Sequence, residues 1–179
     1  MRKILIISTS LHGGSNSELL AKECARGAAD AGDEVEFYSL KGRTLQYCIG
    51  CLACQAKGKC VLSDDAAFFV EKAKDADILV FATPIYYYEM SGQMKTLLDR
   101  LNPLYPTDYK FRKVYMIATA AEEGDFVFEK AYQGLRGFVD CFEKAQLCGL
   151  LAGGGMETPN AAKADEGALT RAYDMGKSL

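Results

Sequence analysis

Five short runs of apolar residues, most of them rich in β-branched side chains, recur along the chain. They cover residues 4–7, 35–40, 78–81, 114–117 and 146–151. Between these runs, apolar residues return at helical spacing, which predicts helices over 17–31, from 64 or 65 through 73, and over 90–101, 126–145 and 161–175. Strands that alternate with helices are typical of a βαβ array.

The strands consist of continuous apolar runs rather than an alternation of apolar and polar residues. Strands that are buried on both faces have this pattern, so we expect an α/β protein with a parallel sheet covered by helices on either side. No proline-rich or serine-rich linker, internal repeat or block of like charge divides the chain. Residues 1–179 are therefore predicted to form a single domain, and a ligand of such a sheet would bind beyond the carboxyl ends of the strands.

Charge and hydropathy narrow the classes of partner. The 179 residues include 21 Lys and Arg against 24 Asp and Glu, so the net charge is −3. We therefore expect neither nucleic acid nor a membrane surface as a partner. No apolar stretch is long enough to span a bilayer, and the one after Met1 is too short for a secretion signal. These features predict a cytoplasmic protein, whose seven cysteines are reduced thiols or metal ligands.

The loop after the first strand, residues 8–17, has the features of a phosphate-binding site. It contains mainly Ser, Thr, Gly and Asn, and it leads directly into a helix whose N-cap is expected among residues 15–17. Small residues let the backbone approach a ligand, and the N–H groups of a helix N-terminus favour an anion. The loop lacks the Walker A and dinucleotide glycine motifs, which favours a ligand with one phosphate. The alternative is a capped polar turn that binds nothing.

A second candidate segment follows the third strand. Residues 82–88 read Ala-Thr-Pro-Ile-Tyr-Tyr-Tyr and lead into the next helix. Pro84 restricts the direction of the chain, while the tyrosine rings and backbone amides can face an aromatic ligand. Apolar walls with a few polar groups are typical of a cofactor pocket. The alternative is that the tyrosines cover a surface groove.

Four cysteines are clustered between the second strand and the second helix. They are Cys48, Cys51, Cys54 and Cys60, in the spacing C-x2-C-x2-C-x5-C. Structural zinc sites usually combine two cysteine pairs that lie farther apart, whereas three cysteines at successive three-residue steps are similar to the loop around a ferredoxin [4Fe-4S] cluster. Zinc, redox-active thiols and empty thiols remain alternatives. The other three cysteines, Cys24, Cys141 and Cys148, are expected in the core.

Taken in order, these motifs resemble the NADPH-dependent FMN reductase family. The Thr-Pro-Ile-Tyr turn is followed by Met-Ser-Gly-x-x-Lys-x-x-x-Asp-Arg over 90–100. The match extends over nearly the whole chain through Ser-Asn-Ser at 15–17, Ala-Thr-Ala-Ala at 118–121 and three glycines at 153–155. The four-cysteine run ahead of Asp64 and Asp65 is similar to the iron-sulfur flavoprotein branch of that family. The resemblance implies a flavodoxin-like three-layer sandwich with five parallel strands in the order 2-1-3-4-5.

The resemblance also implies an FMN site. The first loop would bind the phosphate, the Thr-Pro loop would lie along the isoalloxazine ring, and the loop after the fourth strand would flank the other edge of the flavin. The positions implied in this way are Ser8, Ser10, Leu11, Asn16 and Ser17, then Pro84, Ile85, Tyr86 and Tyr87, and finally Thr119 and Ala120. The family often has Arg where Leu11 stands, which implies that one charge contact with the phosphate is either missing, with a lower affinity for FMN, or supplied by another residue. Related proteins form dimers or tetramers, which implies a homodimer or homotetramer here.

We therefore expect an FMN-dependent oxidoreductase in which a [4Fe-4S] cluster exchanges electrons with FMN. NAD(P)H, another small molecule or a redox protein would donate or accept the electrons. The flavin supplies the chemistry, so no catalytic side chain is assigned, and His12 is interpreted as a loop residue. Two alternatives are an NAD(P)H-dependent FMN or quinone reductase without a cluster, and a non-enzymatic flavodoxin-like electron carrier.

Overall fold

A computed structural model describes all residues from 1 to 179. The strands are β1 (Lys3–Ser8), β2 (Glu34–Ser39), β3 (Ile78–Tyr86), β4 (Glu89–Met90), β5 (Lys113–Thr119) and β6 (Gln146–Gly153). Five of them form a parallel sheet in the order β2-β1-β3-β5-β6, and the short β4 pairs antiparallel with the end of β3. Without β4 this is the predicted order 2-1-3-4-5, so the flavodoxin-like α/β fold is confirmed.

Helices cover both faces of the sheet. They are α1 (Asn16–Asp30), α2 (Ala53–Lys57), α3 (Ala66–Asp75), α4 (Gly92–Arg100), α5 (Phe126–Val139) and α6 (Glu166–Ser178), with 3-10 turns at Asn102–Leu104 and Ala161–Ala164. Successive residues of β1 enter different cores: Leu5 packs with α3, α4 and α5, whereas Ile6 packs with α1 and α6. This two-sided burial explains why the central strands contain continuous apolar runs.

Helices α1 and α6 approach each other closely through two glycines. A Cβ atom on Gly27 would lie 2.0 Å from the carbonyl oxygen of Tyr173, and one on Gly176 would lie 2.0 Å from that of Cys24. Only glycine fits at such a backbone contact. The packing holds the axis of α1, and with it the N-terminus that faces the first loop.

The ends of several elements differ from the sequence prediction. Strand β3 continues through Pro84 to Tyr86, where the short pairing with β4 satisfies its end. Helix α5 ends at Val139 and not near residue 145, because the chain turns there and Phe142 packs edge-on against Tyr109, with ring centroids 5.1 Å apart. The last helix begins at Glu166 after a separate 3-10 turn. Helix α2, inside the cysteine segment, was not predicted.

The three cysteines outside the cluster occupy different environments. Cys24 is buried on α1, and burial raises the pKa of its thiol to about 12. The expectation that Cys141 and Cys148 are core residues is wrong, since both are exposed. Cys141 lies in the turn after α5, and Cys148 lies on β6, which is an edge strand with one unpaired side. No helix is both long and apolar enough to cross a membrane.

Candidate functional site

The carboxyl ends of β1, β3 and β5 open into a cavity of about 330 Å³. Parallel sheets of this topology bind ligands at this edge. Seven of the residues predicted to contact FMN line the cavity: Ser10, Asn16, Pro84, Ile85, Tyr86, Thr119 and Ala120. The first loop, the Thr-Pro loop and the loop after β5 are therefore brought together around one space.

The first loop presents the N-terminus of α1 to this cavity. Ser15 is the N-cap, and its Oγ accepts a hydrogen bond of 3.3 Å from the N–H of Glu18. Gly14 has φ +72°, and a Cβ atom there would lie 2.5 Å from Nδ2 of Asn160. The side chain of Ser8, at the end of β1, is buried, and its Oγ has no hydrogen-bond partner. Of these features, the glycine turn and the capped helix start lie at the cavity and suit a phosphate group.

Asn16 holds the loop after β6 against the first loop. Its Nδ2 donates hydrogen bonds to the carbonyl oxygens of Met156, at 3.2 Å, and Thr158, at 2.9 Å. Its Oδ1 accepts one of 3.1 Å from the N–H of Ala162. Because the amide group is used inside the chain, Asn16 can offer a phosphate its backbone N–H at the helix start. Its side chain positions the cavity wall.

Three buried hydroxyl side chains join the carboxyl ends of β1 and β3 to the start of α4. Ser91 caps α4, and its Oγ accepts from the N–H of Met94 at 3.3 Å. The same Oγ lies 3.2 Å from Oγ1 of Thr83 and 3.3 Å from Oγ1 of Thr9. Thr9 in turn donates to the carbonyl oxygen of Ala82 at 2.9 Å. These buried contacts hold the ends of β1 and β3 and the helix in one arrangement.

The tip of the hairpin between β3 and β4 is strained and exposed. Tyr87 and Tyr88 have φ of 51° and 65°, a conformation that bulky residues rarely adopt. Tyr88 donates a hydrogen bond of 2.9 Å from Oη to Glu122, and this bond raises the pKa of the tyrosine. Tyr87 is 98% exposed and does not line the cavity. The hairpin is thus tied to the loop after β5 through Tyr88, while Tyr87 extends into solvent.

Four predicted site residues lie outside the cavity lining. Ser8 and Ser17 are fully buried beneath the loop, Leu11 is exposed and lines a separate shallow cavity with Tyr47, and Tyr87 projects outward. The sequence reasoning did not assign the other residues of the lining: His12, Gly14, Ser15, Ala121, Met156, Glu157, Thr158 and Pro159. The last four belong to the loop after β6. The sequence signal that could have identified this loop is the Thr-Pro pair at 158–159, which follows the three glycines at 153–155.

The three glycines at 153–155 let the loop after β6 pack on the loop after β5. A Cβ atom on Gly154 would lie 3.0 Å from the carbonyl oxygen of Glu122. Ala120 donates its N–H to Gly153 at 2.9 Å, and Met156 donates its N–H to Ala120 at 2.8 Å. The far wall of the cavity is therefore built from two loops joined by backbone hydrogen bonds.

The cysteine loop, residues 48–60, lies apart from this cavity. Cys48, Cys51, Cys54 and Cys60 all line one small cavity of about 30 Å³. Gly50, Leu52 and Gly58 have left-handed backbones, with φ of 66°, 55° and 65°, which curl the loop around it. Cys54 is buried, Cys60 is half-buried, and Cys48 and Cys51 are exposed. No three His, Cys, Asp or Glu side chains are gathered tightly enough to hold a single metal ion.

A buried ion pair anchors the cysteine loop to α4. The side chains of Arg100 and Asp64 are each 1% exposed, and they form a two-point contact with N–O distances of 2.6 and 2.9 Å. Burial alone would raise the pKa of Asp64, but hydrogen bonds from Arg100 and from the backbone N–H groups of Gln46 and Ala66 lower it. Arg100 also donates to the carbonyl oxygen of Gln46 at 2.7 Å. Both ends of the loop are thus held by one charged pair.

The largest cavity, of about 760 Å³, lies on the other side of the cysteine loop. It runs between α4 and α5 and includes Cys48, Gly50 and Cys141. None of the predicted flavin residues lines it. The strand ends, the helix N-terminus and the predicted flavin loops meet instead at the cavity of about 330 Å³, which we call the flavin cavity after the residues predicted to bind FMN.

Sequence comparisons find flavoproteins. A family model described as NADPH-dependent FMN reductase matches residues 2–139. An iron-sulfur flavoprotein of Methanocaldococcus jannaschii is 39% identical over 102 residues, which cover 57% of this chain and 53% of that protein. The chain therefore spans about half the length of the curated relatives it matches. A putative NAD(P)H-dependent FMN-containing oxidoreductase of Bacillus subtilis is 29% identical over 130 residues, which cover 67% of each chain.

A structural comparison shows the fold. The NAD(P)H:quinone oxidoreductase from Methanothermobacter marburgensis superposes with a TM-score of 0.78 at 18% identity. The superposition covers 99% of this chain and 98% of that one. The arrangement of the whole chain is thus shared with a solved structure, although few residues are identical.

Proposed function

The chain belongs to the NADPH-dependent FMN reductase family, and from this membership we propose that it is an FMN-dependent oxidoreductase. The observation that carries the proposal is the cavity at the carboxyl ends of β1, β3 and β5, which the three predicted flavin loops line together. Its volume of about 330 Å³ falls within the range of small-molecule sites. The capped start of α1 and the left-handed turn at Gly14, which both lie at this cavity, are the features that fit a phosphate.

The residues of this cavity divide into those that hold a phosphate and those that enclose a ring. Ser10, Ser15 and the backbone N–H groups at the start of α1 would bind the phosphate. Pro84, Ile85 and Tyr86 would form one wall for the ring. On the opposite side, Thr119 and Ala120, backed by the loop after β6, would exclude water from it. FMN bound there supplies both hydride and single-electron chemistry.

The second part of the proposal is a [4Fe-4S] cluster on the four cysteines. The donor set fits such a group, because four thiols line one cavity and thiolates are the preferred ligands of iron-sulfur clusters. The Methanocaldococcus jannaschii relative is named as an iron-sulfur flavoprotein, which supports the same proposal. Free thiols of this kind persist in a reducing compartment, so we propose a cytoplasmic location. The proposed assembly is a homodimer or homotetramer.

NAD(P)H is proposed as an electron donor, and a small molecule or a redox protein as the acceptor. The family description and the Bacillus subtilis relative favour the nicotinamide donor. An NAD(P)H-dependent FMN or quinone reductase with empty cysteines is the second candidate. A flavodoxin-like carrier that oxidises no substrate is the third.

One preparation tests these proposals. Protein purified without oxygen should show flavin absorption, release FMN and no FAD on denaturation, and contain iron and acid-labile sulfide in equal amounts. Flavin without iron or sulfide, after chemical reconstitution has been attempted, would leave the second candidate. Oxidation of NADH or NADPH in the steady state separates both enzyme candidates from the carrier. Tight binding of FAD with no affinity for FMN would contradict the central proposal.

A further inference from the structure

Two side chains at the end of α4 donate hydrogen bonds to cysteine sulfur atoms. Nδ2 of Asn102 lies 3.0 Å from Sγ of Cys54, and Nη2 of Arg100 lies 3.5 Å from Sγ of Cys60. Both donors come from one short segment, in which Arg100 ends α4 and Asn102 begins the 3-10 turn that follows. Asn102 also lines the cavity that the four thiols share.

We propose that Arg100 and Asn102 are positioning residues that orient Cys60 and Cys54 and raise the reduction potential of the cluster bound there. This inference rests on the proposed cluster. Hydrogen bonds to the sulfur ligands stabilise the more negatively charged reduced state and are among the factors that set the potential of iron-sulfur clusters. Cys54 and Cys60 each accept a hydrogen bond from a side chain, whereas Cys48 and Cys51 accept none.

The surroundings of Arg100 support a role beyond the anchoring of the loop. Its guanidinium is buried, and four of its hydrogen bonds go to Gln46, Asp64 and Cys60. The remaining donor, Nε, is buried without a partner. A buried donor without a partner is costly, so Nε is a further donor of this guanidinium that no group of the chain uses.

The position of α4 adds a second observation. The N-terminus of the helix is capped by Ser91, which contacts Thr83 and Thr9, the sequence neighbours of the cavity residues Pro84 and Ser10. The other end of the same helix carries the two donors to the cysteines. With nine residues and a rise of about 1.5 Å per residue, the helix spans roughly 14 Å. One helix therefore connects the buried hydroxyl groups beside the flavin cavity with the two donors to the cysteines.

The test is the midpoint potential of the cluster, measured by anaerobic titration with optical or EPR detection. Asn102→Leu removes the donors at similar volume and should shift the potential to a more negative value. Asn102→Asp places a carboxylate against Cys54 and should shift it further in the same direction. Tyr105→Phe is the matched control, because it lies in the same region, changes no charge and has an exposed side chain; its potential should equal that of the wild type.

Arg100→Lys tests the second donor while keeping the charge. A lysine has no planar fork, so it cannot serve both Asp64 and Cys60 in the same geometry, and the potential should again become more negative. Thermal unfolding of each variant checks that the fold is retained. If a variant at position 102 loses its cluster, Asn102→Gln takes its place in the comparison. The EPR signal of the reduced cluster should change in Asn102→Leu and recover partly in Asn102→Gln, which a purely structural role would not produce.

The outcomes separate this inference from the proposal beneath it. Wild-type protein that binds no iron and sulfide after reconstitution would overturn both. Wild-type protein that holds a cluster, with equal potentials in Asn102→Leu, Asn102→Asp and the control, would overturn only the role of the donors. A more negative potential in the three donor variants, with an unchanged control, would establish it.

Discussion

The flavin cavity and the cysteine loop are built in contrasting ways. Three buried parallel strands end at the flavin cavity, and its volume of about 330 Å³ is already open in the chain alone. The cysteine loop contains one five-residue helix and several left-handed residues, and its central cavity measures about 30 Å³, with space for about one or two water molecules. The first site is shaped by the fold, whereas the second depends on a few side-chain anchors.

This difference determines what each site needs. Single substitutions at the strand ends should weaken the binding of a cofactor without unfolding the protein, because the sheet keeps the other binding residues in place. In the cysteine loop the large apolar residues Ile49, Leu52 and Val61 are exposed, so little core packing resists movement. The loop is therefore expected to respond strongly to the loss of a ligand or an anchor.

Loss of one cysteine should have the largest effect. Cys54→Ser should abolish most of the iron and acid-labile sulfide together, because three thiolates hold a [4Fe-4S] cluster poorly. FMN content should stay near that of the wild type, since the flavin cavity shares no residue with the cysteine cavity. Iron, sulfide and flavin analysis of anaerobic preparations measures all three. The control is Cys148→Ser, which changes an exposed thiol outside the loop and should leave the iron, sulfide and flavin contents unchanged. A parallel loss of FMN in Cys54→Ser would show that the two sites are not independent.

Removal of the charged anchor should come next. Arg100→Leu leaves the Asp64 carboxylate buried without its partner, which should lower the free energy of unfolding by about 3–5 kcal/mol. Asp64→Asn combined with Arg100→Leu should lose less, because no uncompensated charge remains. Urea unfolding measures both. The control on the same helix is Asp99→Asn, which breaks the exposed pair with Lys95 and should cost less than about 0.5 kcal/mol. Equal losses in Arg100→Leu and Asp99→Asn would remove the distinction between a structural and a superficial ion pair.

A change at Asn16 examines the other region. Asn16→Ala leaves the carbonyl groups of Met156 and Thr158 without their donor, which should lower the free energy of unfolding by about 1–3 kcal/mol. The loosened wall should also weaken FMN binding, on the order of tenfold, or about 1.4 kcal/mol. Flavin fluorescence titration and urea unfolding measure the two effects. Ser15→Ala removes the helix cap and one of the proposed phosphate contacts, so it should cost about 1 kcal/mol in stability and also weaken FMN binding. Unchanged FMN affinity in Asn16→Ala would show that the loop after β6 does not enclose the ligand.

The smallest expected effect has the opposite sign. Tyr87→Asn places a residue that tolerates a positive φ at the hairpin tip, which should raise the free energy of unfolding by about 1 kcal/mol. If Tyr87 contacts the flavin as the sequence predicts, FMN binding should weaken although the protein becomes more stable. Leu11→Ala is a useful comparison, since its side chain is also exposed and its backbone is not left-handed. Stabilisation with full FMN affinity would exclude Tyr87 from the binding site.

The sequence alone predicted the fold, and it identified most of the segments that line the two candidate sites. Continuous apolar strands with helices between them specify a parallel sheet, since only two-sided burial makes such strands stable. The loops at 8–17 and 82–88 could be identified because strand ends and a helix start are visible as local patterns. The cysteine spacing is likewise local. Each of these signals depends on neighbouring residues, which is why they could be recovered without coordinates.

The tertiary structure decided what depends on residues far apart in the chain. Asn16 was assigned to the phosphate loop, but its amide group fastens a segment about 140 positions later. Arg100 ended a sequence motif and Asn102 belonged to none, and neither had a role until α4 and the turn after it brought them against Cys60 and Cys54. Cys141 and Cys148 matched apolar patterns, yet the turn after α5 and the sheet edge left them exposed. Hydrogen bonds and burial depend on which segments meet in space, and periodicity along the chain does not contain that information.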